Sequence, residues 1–329
     1  MLKPLSIGPF RIENPLFVAP MAGVTDKPFR VLCKSLGAGH AVSEMLASNT
    51  ALYARKKSLF RADFDGEITP ISAQIAGADP AMMIEASKFQ LGKGAQIIDI
   101  NMGCPAKKVC KRLAGSALLA DLDQVKRILD EVVAGVDAPV TLKTRLGYEE
   151  GSENILKVAQ IAEQAGIAAL AIHGRTRDQF YTGEARYELI REVKQQVSMP
   201  IIVNGDIDSP QKAQQVLKLT GADGIMVGRA AQGAPWVFGQ IAAFFESGEL
   251  IADPDLDQMH QILLGHLQAL YAHYGEYSGC RIARKHIAWY TGGLPDSNRF
   301  RAAMYELEST ASQFQFVDEF FEGLSVSAD

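Results

Sequence analysis

Short runs of apolar and β-branched residues recur at roughly thirty-residue intervals: PLFVAP from Pro15, AVSEM from Ala41, ITPISAQIAG from Ile68 and QIIDINMG from Gln96. PVTLKTR from Pro139, ALAIHGRT from Ala169, PIIVNGDI from Pro200 and GIMVGRAA from Gly224 bring the set to eight. Most are separated by patterns of helical period, such as ENILKVAQIAEQAG (153–166) and SPQKAQQVLKLTG (209–221). The second of these opens with Ser209 as N-cap and Pro210 at the first helical position. Continuous apolar strands alternating with helices predict a parallel sheet covered on both faces. Eight such units predict a (β/α)8 TIM barrel, with a doubly wound open sheet as the other topology the pattern allows.

The period is broken in three places. Residues 46–67 read as a polar connection with only a short helix, the kind of irregular loop that can border an active site. LSIGPFRIENP at the start alternates around Gly8 and Pro9, which predicts a small hairpin plugging the lower end of the barrel. After Ala231 the strand pattern stops and helical patterns run to the end, interrupted near residues 253–255 and 292–295. The expectation is a barrel domain over 1–242, followed by a small all-α domain over 243–329.

With 329 residues, 47% hydrophobic and 22% charged, the chain has enough apolar material for such a barrel and a modest appendage. No secretory N-terminus and no run of eighteen apolar residues is present, so a cytoplasmic protein without membrane attachment is expected. Cys33, Cys104, Cys110 and Cys280 form no CxxC pair and have no ligand-like histidine spacing, which predicts reduced thiols and no metal site. No segment signals a protein partner. The formal charge of −5 is unevenly spread, with 28 basic and 25 acidic residues up to 242 and 5 against 13 afterwards. All five late cations, Arg281, Arg284, Lys285, Arg299 and Arg301, lie between 281 and 301, where Asp296 is the only acid.

In a barrel of this kind the chemistry sits at the C-terminal ends of the strands. The first strand ends in APMAG (19–23), whose small residues let backbone approach a flat ligand; the third brings Gln74, and the fourth Asn101 and Cys104. Lys143 and Arg145 follow on the fifth, His173 and Arg175 on the sixth, Asn204, Gly205 and Asp206 on the seventh, and Gly228 and Arg229 on the eighth. The last two groups match a phosphate cradle of backbone N–H groups with Arg229 nearby, although NGD also reads as a tight turn before a helix capped by Asp208 or Ser209. Lys143 suits either a Schiff-base lysine or a cation that stabilises an electron-rich ring such as a reduced flavin. Gln74 and His173 read as ring-edge contacts or as satisfied core polar groups.

Cys104 stands in a Gly-Cys-Pro loop above the barrel mouth with no histidine beside it in sequence. A nucleophilic cysteine needs help to ionise, whereas one acting as a general acid stays protonated at its ordinary value of about 8.5. The acid role fits at least as well, in the reduction of a polarised C=C bond by a flavin. Lys107, Lys108, Lys111 and Arg112 follow within eight residues, and with the 281–301 window they suggest two sides of a phosphate-lined groove.

The motifs APMAGVTDKPFR, VSEM, AQIAG, DINMGCPAKKV, LAGSALL, LKTRLG, IHGRTR, NGDI, GADGIMVGRAAQGAPW and RIARKH, spread over nearly the whole chain, resemble those of the tRNA-dihydrouridine synthases, most closely the bacterial B type. That resemblance implies an FMN-bearing barrel with a helical tRNA-binding domain, reduced by NADPH. It implies hydride transfer to C6 of a D-loop uridine and protonation of C5 by Cys104. Pro20, Met21, Ala22, Gln74, Lys143, His173, Asn204, Gly205, Asp206, Gly228 and Arg229 then correspond to FMN contacts, with Asn101 near the uracil. Arg145, Lys107, Lys108, Arg281, Arg284 and Lys285 are candidates for the substrate side.

Two other readings compete. An FMN enzyme acting on a free pyrimidine or small enone accounts for the strand ends but leaves the late basic window without a role. A tRNA-binding or folding factor with a vestigial flavin site accounts for that window, but not for the intact set of strand-end residues.

Overall fold

A computed structural model describes residues 2–326. The eight expected strands form a parallel ring in which Leu16–Val18 lies between His40–Ala41 and Gly224–Val227. Ile201–Asn204, Ala169–His173, Val140–Arg145, Ile97–Met102 and Ser72–Ala76 follow in spatial order. The second unit runs as His40–Ala41 and Leu46–Ala47; a bridge from Val42 to Ser72 and the pairing of Leu46 with Ile75 close the ring. The barrel topology therefore holds, and the open sheet does not.

Every residue of Ile97–Met102, Ala169–His173 and Ile201–Asn204 is buried, which is why these strands read as unbroken apolar runs rather than alternating ones. Helices start where the sequence supplies caps: Asp26, Asp79, Asp121 and Ser209 each accept a backbone N–H from the first turn. The hairpin Leu5–Ile7 with Phe10–Ile12 turns at Gly8, whose φ of 57° suits glycine. A Cβ there would lie 2.4 Å from Pro139, just before the strand Val140–Arg145, so the hairpin closes the N-terminal end. Leu5, Ile7 and Ile12 pack against Phe17, Ile97, Ala169, Ile202 and Met226 inside the barrel.

Residues 46–67 begin with the strand pair Leu46–Ala47, which the sequence did not show, and then contain a 3-10 turn, Thr50–Leu52, and the expected short helix, Lys56–Arg61. The boundary expected at 243 needs correction, because it falls inside the helix Val237–Ser247, which packs on Pro210–Thr220 as the last helix of the barrel. The chain leaves that helix at Gly248, left-handed with φ 79°, and Trp236 fastens the following segment by donating to Asp253. Asp255 and Gln258 form a capping box at the start of Leu256–Tyr290, which breaks at Gly275 into two helices. Ser297–Glu306 and Thr310–Val326 complete a bundle around Leu263, Leu267, Ile287, Met304, Val317 and Phe321.

The bundle joins the barrel through the helix Lys27–Ser35. Phe29 is fully buried with its ring centroid 5.8 Å from both His266 and His286, and Tyr274 donates to Asp26 at 3.0 Å. Among the described residues, neither ring nitrogen of His266 or His286 has a hydrogen-bond partner. Burial, reinforced by Lys285, pushes His266 down from 6.5 to about 3, and burial together with His266 pushes His286 down as well. Between those limits the unfolded chain binds more protons than the folded one, so stability falls as pH is lowered below 6.5, by about 1.4 kcal/mol per unit for each histidine. Denaturant unfolding from pH 7 to 5 should show a shallower fall for His266→Phe than for the wild type; equal slopes would contradict the neutral buried pair.

Candidate active site

The C-terminal strand ends open into one cavity of about 1010 Å³. Pro20, Met21, Ala22, Gln74, Asn101, Cys104, Lys143, Arg145, His173, Asn204, Gly205, Asp206, Gly228 and Arg229 all line it. The wall also contains Met45, Phe180, Tyr181 and Gln232, which strand-end reasoning missed. Phe180 and Tyr181 come from the long segment after the sixth strand, where two aromatics in a polar run were the available signal.

The floor is a chain of buried hydrogen bonds set by strand register. Gln74 pairs across the sheet with Asp99, and Asp99 with Thr141. Thr141 donates to one Asp99 oxygen at 2.6 Å, and Gln74 Nε2 donates to the other at 2.7 Å. Gln74 Oε1 accepts from Asn101 Nδ2 at 2.8 Å, leaving Asn101 Oδ1 to accept the backbone N–H groups of Gly103 and Cys104. Each amide is thereby fixed in orientation, and the loop bearing the thiol is tied to a carboxylate that never reaches the cavity surface. Burial raises the Asp99 carboxyl, opposed by its two hydrogen bonds and by Lys143.

Lys143 Nζ donates to Asn204 Oδ1 at 3.1 Å, while Asn204 Nδ2 is held by the Met226 carbonyl. Burial, reinforced by Arg145, lowers this amine from 10.5 to about 8. Arg145 does not point freely at a substrate: it donates to the carbonyls of Gly103, Thr176 and Phe180, joining the Cys104 loop to the loop after the sixth strand. Burial, with Lys143 and the surrounding arginines, pushes His173 well down, so its imidazole is neutral.

Asp206 lies on the cavity wall, but its carboxylate faces Arg175. The two make paired contacts at 2.6 and 2.9 Å, and Asp206 also accepts from the Ala185 N–H and from Arg229. Gly205 at φ 119° and Asp206 at φ 51° make the sharp turn this needs. The N–H groups of Gly205, Asp206, Gly228 and Arg229 find no acceptor among the described residues. Together with the half-exposed Arg229 they offer a cradle for an anion, as the sequence suggested. Ser209 caps the following helix, so turn and cradle coexist.

The Cys104 thiol is half-buried, and burial raises it; Arg145 and Lys143 are the nearby cations that oppose this. No histidine contributes to its ionisation. It is a protonated thiol at neutral pH, which favours an acid over a nucleophile. Its carbonyl accepts from Ser116 N–H and Oγ, with Cys110 Sγ at 3.6 Å, so the loop folds back on itself.

Apart from Arg145, the basic substrate-side candidates lie outside the cavity. Lys107 and Lys108 are exposed on the short helix Lys107–Cys110. Arg281 lies 4.0 Å over the Tyr277 ring, Lys285 donates to the Gly23 carbonyl near the rim, and Arg284 is turned inward to the Leu307 carbonyl. Arg284 is half-buried, with one guanidinium nitrogen held by the bundle itself.

Compared with known proteins, the chain matches the profile described as dihydrouridine synthase (Dus) over residues 17–325. The chain belongs to the dihydrouridine synthase family. It is 53% identical over 320 residues to the protein named tRNA-dihydrouridine synthase B of Xanthomonas campestris, covering 97% of this chain and 96% of the relative. To the proteins of the same name from Pseudomonas aeruginosa and Vibrio vulnificus it is 54% and 50% identical, covering 96% and 98% of this chain and 95% and 100% of theirs. Among solved structures it is similar to the old yellow enzyme homologue from Zymomonas mobilis, with a TM-score of 0.54 at 16% identity over 78% of this chain and 95% of that one. That likeness bears on the fold of this family member alone.

In this dihydrouridine synthase family member, Arg175 is 2% exposed in its side chain, and Asp206 is the carboxylate that pairs with it. Asp206→Ala leaves that guanidinium buried without its counter-charge and should cost about 3–5 kcal/mol of unfolding free energy. Urea unfolding checks this; an unchanged midpoint would show that the turn does not depend on the pair.

Proposed function

We propose that the protein reduces a uridine in tRNA to 5,6-dihydrouridine, using FMN in the barrel mouth and NADPH as reductant. The observation that carries this reading is convergence: a protonated thiol, a buried ammonium, a neutral histidine and an unpaired N–H cradle face one cavity in a dihydrouridine synthase family chain. The residues fit an FMN. The four free N–H groups and Arg229 suit its phosphate, and Pro20, Met21 and Ala22 allow close approach of a flat ring. Lys143 and Gln74 offer donors to the ring edge. When bound and reduced, the flavin supplies the hydride that C6 of the uracil receives.

The chain's own residues supply the rest. Cys104 holds a proton on Sγ and delivers it to C5, and the thiolate left behind lies in the field of Arg145 and Lys143 until water returns the proton. Asn101, fixed by Gln74, sets the height of the Cys104 backbone above the strand end. A uridine reaches such a cavity only after leaving its stack, which requires RNA contacts outside the mouth. The barrel would act as catalytic domain and the bundle after Gly248 as tRNA-binding domain, in the cytoplasm.

Two outcomes follow. Cys104→Ala should retain bound flavin and NADPH oxidation while dihydrouridine formation in unmodified tRNA, followed by mass, falls at least 100-fold; undiminished product would remove the acid role. FMN affinity of the apoprotein should weaken as pH rises through about 8, where Lys143 loses its charge, and Lys143→Met should flatten that step in a fluorescence titration. A step that persists in the variant would assign it to another group.

A further inference from the structure

The chain's exposed, uncommitted positive charge is concentrated on the barrel rim rather than in the late basic window. From Ala47 to Ala62 there are four cations, Arg55, Lys56, Lys57 and Arg61, and no acid. From Pro105 to Ala120 there are again four, Lys107, Lys108, Lys111 and Arg112, and no acid. Arg61 is spent on Glu44 at 2.9 Å and on the Met45 carbonyl. The other seven are exposed, and none forms an ion pair among the described residues.

The two stretches belong to one surface. Ser48 N–H donates to the Ala76 carbonyl, so the loops after the second and third strands lie side by side, and Gln124 Nε2, from the helix Leu122–Gly135 that follows the second stretch, donates to the Ala78 carbonyl of the same third-strand loop. Each stretch is also tied to the cavity wall, the first through Arg61 at Met45 and the second through Cys104 and Pro105. Of the acids closest in sequence, Glu44 is committed to Arg61 and the Gly23 N–H, Asp63 to Lys27, and Asp79 and Asp121 to their helix caps, while Asp65 and Asp123 are exposed. In the late window, by contrast, three of the five cations, Arg284, Lys285 and Arg301, donate to backbone carbonyls of the chain itself and Arg281 lies over the Tyr277 ring, leaving Arg299 exposed without an ion pair among the described residues.

We propose that Arg55, Lys56 and Lys57, with Lys107, Lys108, Lys111 and Arg112, form a band that holds the phosphate backbone of the RNA substrate across the mouth; this rests on the tRNA reading above. A polynucleotide suits the band because it carries a charge at every step, so cations on two loops can bind the backbone on both sides of a base lowered between them. The Arg55–Lys57 turn is the half of the band not marked by the late basic window or by the Cys104 loop. It sets the direction of approach, over the loops of the second to fourth strands.

The test is tRNA affinity as a function of salt for three proteins: wild type, Arg55→Ala/Lys56→Ala/Lys57→Ala, and a control of equal charge change on outer helices, Lys157→Ala/Arg191→Ala/Lys218→Ala. The rim variant should bind unmodified tRNA about tenfold or more weakly near 0.1 M salt, with a log–log salt slope shallower by about 2, while the control keeps the wild-type slope. Thermal melting and bound-flavin absorbance serve as folding checks. Wild-type affinity and slope in the rim variant, or an equal loss in the control, would overturn the band while leaving the tRNA reading intact. Failure of the wild-type protein to form dihydrouridine in tRNA would overturn both.

Discussion

A slip of one residue in the register of the parallel ring would turn its polar side chains out of the barrel, because strand side chains alternate with a period of two. Asp99 and Asn101, and Thr141, Lys143 and Arg145, share a face with the Gln74 and His173 positions they pair with. Ile98, Ile100 and Leu142 occupy the other face beneath the helices. The apolar face therefore enforces the register that builds the polar floor. Packing energy spread over dozens of buried residues fixes a handful of hydrogen bonds to within tenths of an ångström.

Buried cations in this protein are held in three ways. Arg30 with Glu67, and Arg175 with Asp206, are paired through two nitrogen–oxygen contacts each, whereas Arg145 is satisfied by three backbone carbonyls. Lys143 differs: its hydrogen-bond partner is a neutral amide, and burial lowers it to about 8. A cation kept out of direct ion pairing at a cavity wall, with the Asp99 carboxyl acting on it only at a distance, marks a place suited to receiving negative charge. The same comparison separates Asp206, which anchors the turn, from the backbone N–H groups beside it that remain available.

Electrostatics also divides the molecule on a larger scale. A chain with net charge −5 can hold a polyanion only if its positive charge is segregated. Here the acid-free loops do so locally, with neighbouring carboxylates used as helix caps or as partners of other cations. The bundle contributes through its position, fastened over the helix Lys27–Ser35 by Phe29 and Tyr274, beside the loop that begins at Pro20.

The eight strands, the plugging hairpin, the irregular second connection and the strand-end chemistry were legible in the sequence, because each depends on local periodicity or on a rule about where barrel strands end. Position 243 gave no warning that it lay mid-helix, since Val237–Ser247 is apolar enough to pack on either neighbour. For Arg284 and Asp206 residue type shows charge but not direction; only the fold gave one a bond to Leu307 and the other a pairing with Arg175. Tyr181 comes from a loop without a period, so its place at the mouth depends on contacts between segments far apart in the chain. The sequence by itself determined which groups could do chemistry, and tertiary structure decided which of them remained free to do it, because each hydrogen bond or ion pair made inside the protein removes its partners from the site.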